Sequence, residues 1–391
     1  MENKKKSILF VSFGLGIGGV EKCLVNLLNA LPEDEYDIDV LLMNAQYDMK
    51  PQVKDHVNFL DEFSYVVLDI RTILREMRNR GGYFRHMDKL LRYTIYRIAD
   101  KLNMKPWRVH GRLPKHYDIA VAYAHNGESI YYVMDRVKAD RKVMWYHNSV
   151  YKKTGKDQER DQEYYPRFDY IVPVSQACKI ELQKKLVLPE EKMVVLRNLC
   201  NADEIQEKAS AIQPEWGAGI HIVTVGRLIE SKGPELALEA LESLRKKDWN
   251  IFWHWIGDGP YASIFREMIK EKAMEEFFLL EGNQNNPYPY ILRGDIYVQP
   301  SWDEAYSTTV TEAKVLCRPM VVTDVGGMRD QLKDGENALI VAVNSEQITD
   351  AVECLLKQPD LRILFTQRLK TEDFSPQKSL EEYKETVFGE Q

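Results

Sequence analysis

Two glutamates with seven residues between them, Glu304 and Glu312, sit in the run Pro300-Ser301-Trp302-Asp303-Glu304-Ala305-Tyr306-Ser307-Thr308-Thr309-Val310-Thr311-Glu312-Ala313. An ionised carboxylate accepts hydrogen bonds from two vicinal hydroxyls, so carboxylates at graded depth suit a hydroxyl-rich ligand. Upstream, Gly226-Arg227-Leu228 and Ser231-Lys232-Gly233 bring a guanidinium and an ammonium within five residues. With no metal-ligand cluster nearby, that pair suits a diphosphate. A helix starting near Thr308 adds amides at Ser307, Thr308 and Thr309 and the positive end of its dipole. The set fits a sugar carried on a nucleoside diphosphate.

A second glycine cluster, Gly14-Leu15-Gly16-Ile17-Gly18-Gly19, is a literal G-x-G-x-x-G between a strand and a helix. As a dinucleotide fingerprint it needs an acidic residue at the end of the next strand. That strand ends Leu41-Leu42-Met43-Asn44, and Asp37 and Asp39 lie toward its start. The NAD or FAD reading therefore fails its context. Two readings remain: a tight turn that uses glycine's backbone freedom, or bare amides at Gly18 and Gly19 that approach a phosphate or sugar.

The elements that must carry these loops alternate in type. Strands are predicted at Ser7–Phe13, Asp37–Met43, Tyr65–Leu68, Asp118–Tyr123, Lys142–Tyr146 and Tyr170–Val174. After a polar stretch at Ile205–Glu215 the pattern restarts, with strands at Ile220–Val225, Ile251–Ile256, Phe278–Glu281, Asp295–Gln299, Met320–Thr323 and Ala338–Val341. Strand–helix alternation is the signature of doubly wound parallel sheets. We expect an α/β chain with two Rossmann-like domains facing a central cleft, at 1–203 and 204–375. A terminal helix in 376–391 would return toward the first domain. The Arg227, Asp258 and Glu304 segments each follow a strand and so meet on one rim of the second sheet.

At this point the sequence resembles the nucleotide-sugar glycosyltransferases of the GT-B fold, specifically the retaining family 4. The resemblance rests on Pro300-Ser301…Glu304…Glu312-Ala313 and on Pro319-Met320-Val321-Val322-Thr323-Asp324-Val325-Gly326-Gly327. The Gly226-Arg227-Leu228…Lys232-Gly233 pair, Gly257-Asp258-Gly259-Pro260, Asp334-Gly335-Glu336-Asn337 and Gly18-Gly19-Val20-Glu21-Lys22 match in order. It implies that Arg227 and Lys232 hold the diphosphate, that Glu312 binds the ribose, and that Glu304 binds the donor sugar near the reacting carbon. Gly226, Ser307, Thr308 and Thr309 would contact the donor, as would Gly18 and Gly19 across the cleft, and Asn283 would line the base pocket. The family's histidine after an N-terminal strand falls on His147, with His125 as the second choice. Where many members have E-G-F-G, this chain has Glu304-Ala305-Tyr306-Ser307, so donor identity does not carry over. The implied activity is transfer of a hexosyl or N-acetylhexosaminyl group, from UDP by preference, to a glycan, lipid-linked or wall-polymer hydroxyl. Retention is implied by the family alone, and the nucleotide-sugar is a co-substrate with no metal required. A sugar-nucleotide epimerase or phosphorylase on the same plan, and a non-catalytic nucleotide-binding subunit, stand as alternatives.

Composition bounds the remaining partners. The 391 residues carry a net charge of −7, against nucleic-acid binding, and the five cysteines are scattered without a metal-ligand spacing. Residues 71–112 depart from this balance, with twelve Lys or Arg against Glu76, Asp88 and Asp100, which leaves −16 for the rest. Within them Met87, Leu90, Leu91, Thr94, Ile95, Ile98 and Leu102 form a helical stripe, expected to pack on the core. Arg85, Lys89 and Arg92 lie on the opposite, solvated face. Such a basic face fits either an anionic membrane surface or a phosphate-bearing acceptor, with Arg85, Arg92 and His125 as acceptor-side candidates. Tyr83, Phe84 and Trp107 are expected at that interface. A cytoplasmic protein, peripheral at the inner face of a membrane, is the corresponding expectation.

Overall fold

The computed structural model describes residues 5–44, 46–80, 87–102, 104–124 and 127–389. The chain divides into two compact units, one of Met1–Leu199 with Ser379–Gln391 and one of Cys200–Lys378. In the first, strands β1 (Lys6–Ser12), β2 (Tyr36–Leu42), β3 (Val57–Phe59), β4 (His116–Ala124), β5 (Lys138–Tyr146) and β6 (Tyr170–Pro173) form a parallel sheet ordered β3-β2-β1-β4-β5-β6. The second unit repeats that order. Its strands β7 (Ile220–Val225), β8 (Ile251–Ile256), β9 (Phe278–Gly282), β10 (Ile296–Gln299), β11 (Met320–Thr323) and β12 (Leu339–Val341) run β12-β11-β10-β7-β8-β9. Each order reverses at the pair between its first and fourth strands. In open α/β sheets ligands bind outside the carboxyl ends of the strands at that switch.

Side-chain alternation explains why both faces of the second sheet are covered. Ile222, Trp253, Trp255, Val298 and Val321 point to one core, under helices Pro234–Lys246 and Ser345–Lys357. Val223, Val225, Ile256, Tyr297 and Val322 point to the other, under helices Ala202–Ala209, Tyr288–Arg293 and Thr308–Val315. A strand buried on two faces reads as an unbroken apolar run, which is the pattern that located these strands.

Three expectations are corrected. Residues Tyr65–Leu68 are not a strand. The third strand is Val57–Phe59, and the chain then turns through a short helix, Glu62–Tyr65. The Val66 amide closes on Glu62 O, and the Val67 amide donates to His110 Nδ1 at 2.9 Å. The buried Val66 and Leu68 are therefore anchors, not strand residues. Second, the polar stretch from Ile205 is not a linker at its start. Asn201 caps helix Ala202–Ala209, and Ile205 and Ala209 are buried in the second unit, which moves the boundary to Leu199/Cys200.

The third correction concerns the basic stretch. Helix Met87–Lys101 has no buried residue among those described, and its apolar stripe faces outward. Its polar side holds it instead. Arg92 donates to Val109 O at 2.9 and 3.3 Å, and Tyr96 donates to Glu128 Oε1 at 2.6 Å while its ring stacks on His110. Arg92 is thus committed to the fold and Lys89 is half-buried, so neither belongs to a solvated face. Trp107 is buried, against its expected place at an interface. Arg85, Tyr83, Phe84 and His125 lie outside the described residues.

Residues Pro376–Tyr383 are helical and continue through a π-helical turn, Lys384–Phe388. Phe388 packs on Phe10, Tyr36 and Trp145, and Arg141 donates to the carbonyls of Val387 and Gly389 at 3.0 and 2.8 Å.

Asp135 ties the turn Pro106–Val109 to the body of the first unit. It accepts from Tyr164 Oη at 2.7 Å and from Trp107 Nε1 and Arg108 Nε, each at 2.9 Å. Burial raises its carboxyl, but the bonds from Arg108, Trp107 and Tyr164 outweigh that and hold it below 3.8. A depressed folded pKa gives stability that is present above the unfolded value and lost as pH falls through the folded one. Asp135→Asn should lower the melting temperature at pH 7, and the gap to wild type should shrink below about pH 4. Melting curves of both proteins from pH 7 to 3 check this; a constant gap would contradict it.

Candidate functional site

The loop tips after β7, β8 and β10 close on one another because glycines stand where backbone meets backbone. Gly233 has φ 70°, and a Cβ there would lie 1.9 Å from Pro300 O. At Gly257, φ 135°, it would meet Gly226 O at 2.1 Å, and at Gly259 it would meet Leu228 O at 2.3 Å. The Leu228 amide also donates to Asp258 O at 3.0 Å. After β11, a Cβ at Gly326 (φ 45°) would fall 1.6 Å from Glu304 O, and the Gly327 amide donates to that oxygen at 3.1 Å. Glu304 is therefore placed by contacts that only glycine permits.

Its side chain is held as firmly. Glu304 Oε1 accepts from Lys232 Nζ at 2.7 Å and from Ser301 Oγ at 2.9 Å. Behind Ser301 runs a buried relay along β10 and its extension. Tyr297 Oη donates to Gln299 Oε1 (2.7 Å), and Gln299 Nε2 donates to Ser301 Oγ (2.9 Å). Thr309 Oγ1 also donates to Gln299 Oε1 at 3.1 Å. Every hydroxyl in this chain has its hydrogen directed, and the chain ends on the carboxylate. Burial, first of all, pushes the Tyr297 phenol well above its ordinary value, so it stays a donor.

Glu304 and Lys232 stand out in the sequence, whereas the parts that Tyr297, Gln299 and Ser301 play emerge only in the fold. The available signal was a glutamine inside an otherwise apolar central strand, two residues from a tyrosine and two from a serine. Buried polar side chains at that spacing share one face of a strand and must satisfy one another.

Ser307 caps helix Thr308–Val315, accepting from the Val310 amide at 3.4 Å. The first-turn amides of Thr308 and Thr309 have no partner within the helix and carry its partial positive charge. Glu312 is buried one turn further in. Gly226 and Arg227 follow β7, with the guanidinium-bearing residue exposed at the rim, and Asn283 is exposed on the loop after β9. The structure thus gathers Lys232, Glu304, Ser307 and Thr309 into one hydrogen-bonded cluster. Arg227, Glu312 and Asn283 occupy neighbouring loop and helix positions.

Gly18, Gly19, His147 and Arg92 belong to the first unit. His147 follows β5, is buried, and lies with its ring 4.6 Å from that of Tyr123. Gly18 precedes helix Gly19–Ala30 in extended backbone. None of Gly14, Gly16, Gly18 and Gly19 has a positive φ, so the turn does not depend on glycine's conformational freedom. Close packing favours Gly14, where a Cβ would stand 3.2 Å from Gln46.

Two sheets of the same doubly wound order, with this cluster at the switch point of the second, define an α/β chain of the GT-B glycosyltransferase class. The comparisons with known proteins agree. Residues 206–371 match the family Glycosyl transferases group 1, and residues 17–204 match Glycosyltransferase Family 4. The chain belongs to this group 1/family 4 type of glycosyltransferase. It is 28 % identical over 212 residues to the Campylobacter jejuni N-acetylgalactosamine-N,N'-diacetylbacillosaminyl-diphospho-undecaprenol 4-alpha-N-acetylgalactosaminyltransferase, covering 53 % of this chain and 56 % of that one. A Haemophilus influenzae glycosyltransferase is 24 % identical over 97 % of this chain and 99 % of its own. Anabaena HepE, solved with UDP and glucose, shares the fold at TM-score 0.74 and 14 % identity, over 98 % of this chain and 100 % of that one. The chain spans about half the length of several curated relatives it matches, the Campylobacter enzyme included.

Gly326→Ala should cost about 1–3 kcal/mol through backbone strain and displace Glu304, weakening the binding of any ligand held by that carboxylate. Gly335→Ala is the control: φ is 72° there, but nothing lies within 4 Å of the added Cβ. It should lose stability and keep binding. Equal binding loss in both variants would separate Gly326 from the site.

Proposed function

We propose that the protein transfers a hexosyl or N-acetylhexosaminyl group from a UDP-sugar to a hydroxyl of a lipid-linked or polymeric glycan, with retention at the anomeric carbon. The observation that carries this reading is the cluster at the β7/β10 switch point, where two cations, free helix amides and a rigidly held carboxylate share one rim. Arg227 and Lys232, with the amides of Thr308 and Thr309, supply the positive charge that a departing nucleoside diphosphate needs. Glu304 spends Oε1 on Lys232 and Ser301, and its other oxygen serves the sugar hydroxyls next to the breaking bond. Glu312 takes the ribose hydroxyls and the loop of Asn283 the base. His147, and the bare amides at Gly18 and Gly19, complete the assignment in the first unit.

The reaction breaks the bond from the anomeric carbon to the β-phosphate oxygen and forms one from that carbon to the acceptor oxygen. The acceptor's proton leaves with the diphosphate side. Holding donor and acceptor in place, and neutralising the leaving group, supply the acceleration. Charge neutralisation by Arg227 and Lys232 makes a divalent cation unnecessary to this scheme. UDP as carrier is supported by the UDP bound in the HepE structures, and a lipid-linked acceptor by the diphospho-undecaprenol named for the Campylobacter relative. Retention is supported by the family resemblance.

Thermal shift with UDP, GDP, ADP, NAD and several UDP-sugars, with and without EDTA, tests the reading. A ligand at 100 times its dissociation constant stabilises by about 2.7 kcal/mol. UDP should raise the melting temperature equally in EDTA, and Glu304→Gln should keep that shift while slowing turnover of the UDP-sugar about 100-fold or more. A shift with NAD alone, or full turnover by Glu304→Gln, would overturn it.

A further inference from the structure

We infer that helix Met87–Lys101 is a membrane-docking element that lies flat on a bilayer surface rich in anionic lipid. The inference stands on the first unit alone and does not depend on the donor or the reaction. Met87, Leu91, Ile95, Ile98 and Leu102 recur at helical spacing on one face and are between 46 and 64 % exposed. They form an apolar ridge about 20 Å long at 1.5 Å per residue. A helix on a protein surface ordinarily turns such a face to the core. Here the polar face is fastened inward by named bonds: Arg92 to Val109 O, Tyr96 to Glu128, and the Tyr96 ring against buried His110, whose Nε2 lies 3.0 Å from Glu128. The outward ridge is therefore built in.

What surrounds the ridge selects its occupant. Arg97 and Lys101 are exposed on the same helix, and Asp88 and Asp100 are the acidic residues there. The neighbouring helix Ile70–Arg80 buries Ile73 and Met77 and exposes Arg71, Leu74, Arg75 and Arg78, again an apolar residue among cations on the outer face. Residues 71–112 carry +9 in a protein of net −7. A convex single-helix ridge with a basic margin matches the boundary between headgroups and acyl chains. Apolar side chains enter it, and Lys and Arg meet lipid phosphates. No helix among the described residues is long and apolar enough to cross a membrane, so attachment through this ridge would be peripheral. A second copy of the chain is the competing occupant. A stable dimer interface buries about 1,200 Å² or more in total, and pairing two such ridges would set the exposed Arg71, Arg75, Arg78, Arg97 and Lys101 against the same cations of the other copy.

The test is sedimentation of the full chain with vesicles of phosphatidylcholine alone or with 40 % phosphatidylglycerol as probe, at low and high salt, beside analytical ultracentrifugation without lipid. Because these side chains are exposed, the triple variant Leu91→Gln/Ile95→Gln/Ile98→Gln should keep the wild-type melting temperature. A second variant, Arg71→Gln/Arg75→Gln/Arg78→Gln, removes charge and leaves the ridge. Wild type should pellet with the anionic vesicles and be released by salt. The triple variant should bind at least tenfold more weakly, and the charge variant should lose most of the salt dependence. Three results would overturn the inference: wild type left in the supernatant at low salt, a triple variant that binds like wild type, or a wild-type dimer that the triple variant abolishes, which would make the ridge a self-association surface. Loss of the melting-temperature match is excluded by scoring Leu91→Gln alone. Failure here leaves any UDP shift untouched, so the two readings fall separately.

Discussion

An ammonium and a carboxylate 2.7 Å apart, Lys232 and Glu304, join two loops that are 72 residues apart in sequence. The pair is largely removed from water, and a half-desolvated ion pair holds only with good geometry and with its other bonds satisfied. Both conditions are met by the surroundings. Ser301 adds a second donor to the same oxygen, Gln299 and Tyr297 fix Ser301, and Gly233 and Gly326 let the backbone come close enough for the bond to form. The site is thus organised before any ligand arrives. Lys232 has its direction already set, and Glu304 carries a carboxylate that cannot swing away.

The sheet topology explains why these loops are neighbours at all. β7 and β10 are adjacent although two strands intervene in sequence, because the winding reverses direction there. The same reversal occurs in the first unit between β1 and β4, beside the Gly14–Gly19 loop. One winding rule, used twice, gives the chain two crevices at strand ends. It placed polar and glycine-rich chemistry at the second and, at the first, a turn in which Gly14 lies close against Gln46.

Much of this was legible in the sequence. Continuous apolar runs such as Ile220–Val225 mark strands buried on both faces, and glycines next to charged residues mark loops where backbone approaches closely. Glu304 and Glu312 could be picked out because they follow such a run. The misses have physical causes. Val57–Phe59 makes only three residues of pairing, too few for a periodicity to register, while Val66 and Leu68 are buried without being a strand. The stripe Met87–Leu102 fixes one face of a helix but not its direction. That was decided by Arg92 and Tyr96, whose partners Val109 and Glu128 are distant in sequence. Gln299 went unread because its signal lies in the i±2 spacing to Tyr297 and Ser301 on one strand face, and not in the glutamine taken alone.

The return of Ser379–Gln391 to the first unit has a consequence for how the protein is made. Phe388 fills a space between Phe10, Tyr36 and Trp145, so the first unit's core is closed by residues translated after the entire second unit. At roughly 5–20 residues per second, a ribosome needs on the order of ten seconds to cross from Leu199 to Ser379. Throughout that interval the first sheet stands with an aromatic face uncovered, and the second unit, continuous in sequence, is complete just before the segment that covers that face is made. The continuous second unit can therefore be finished before the N-terminal one, whose core waits for Phe388.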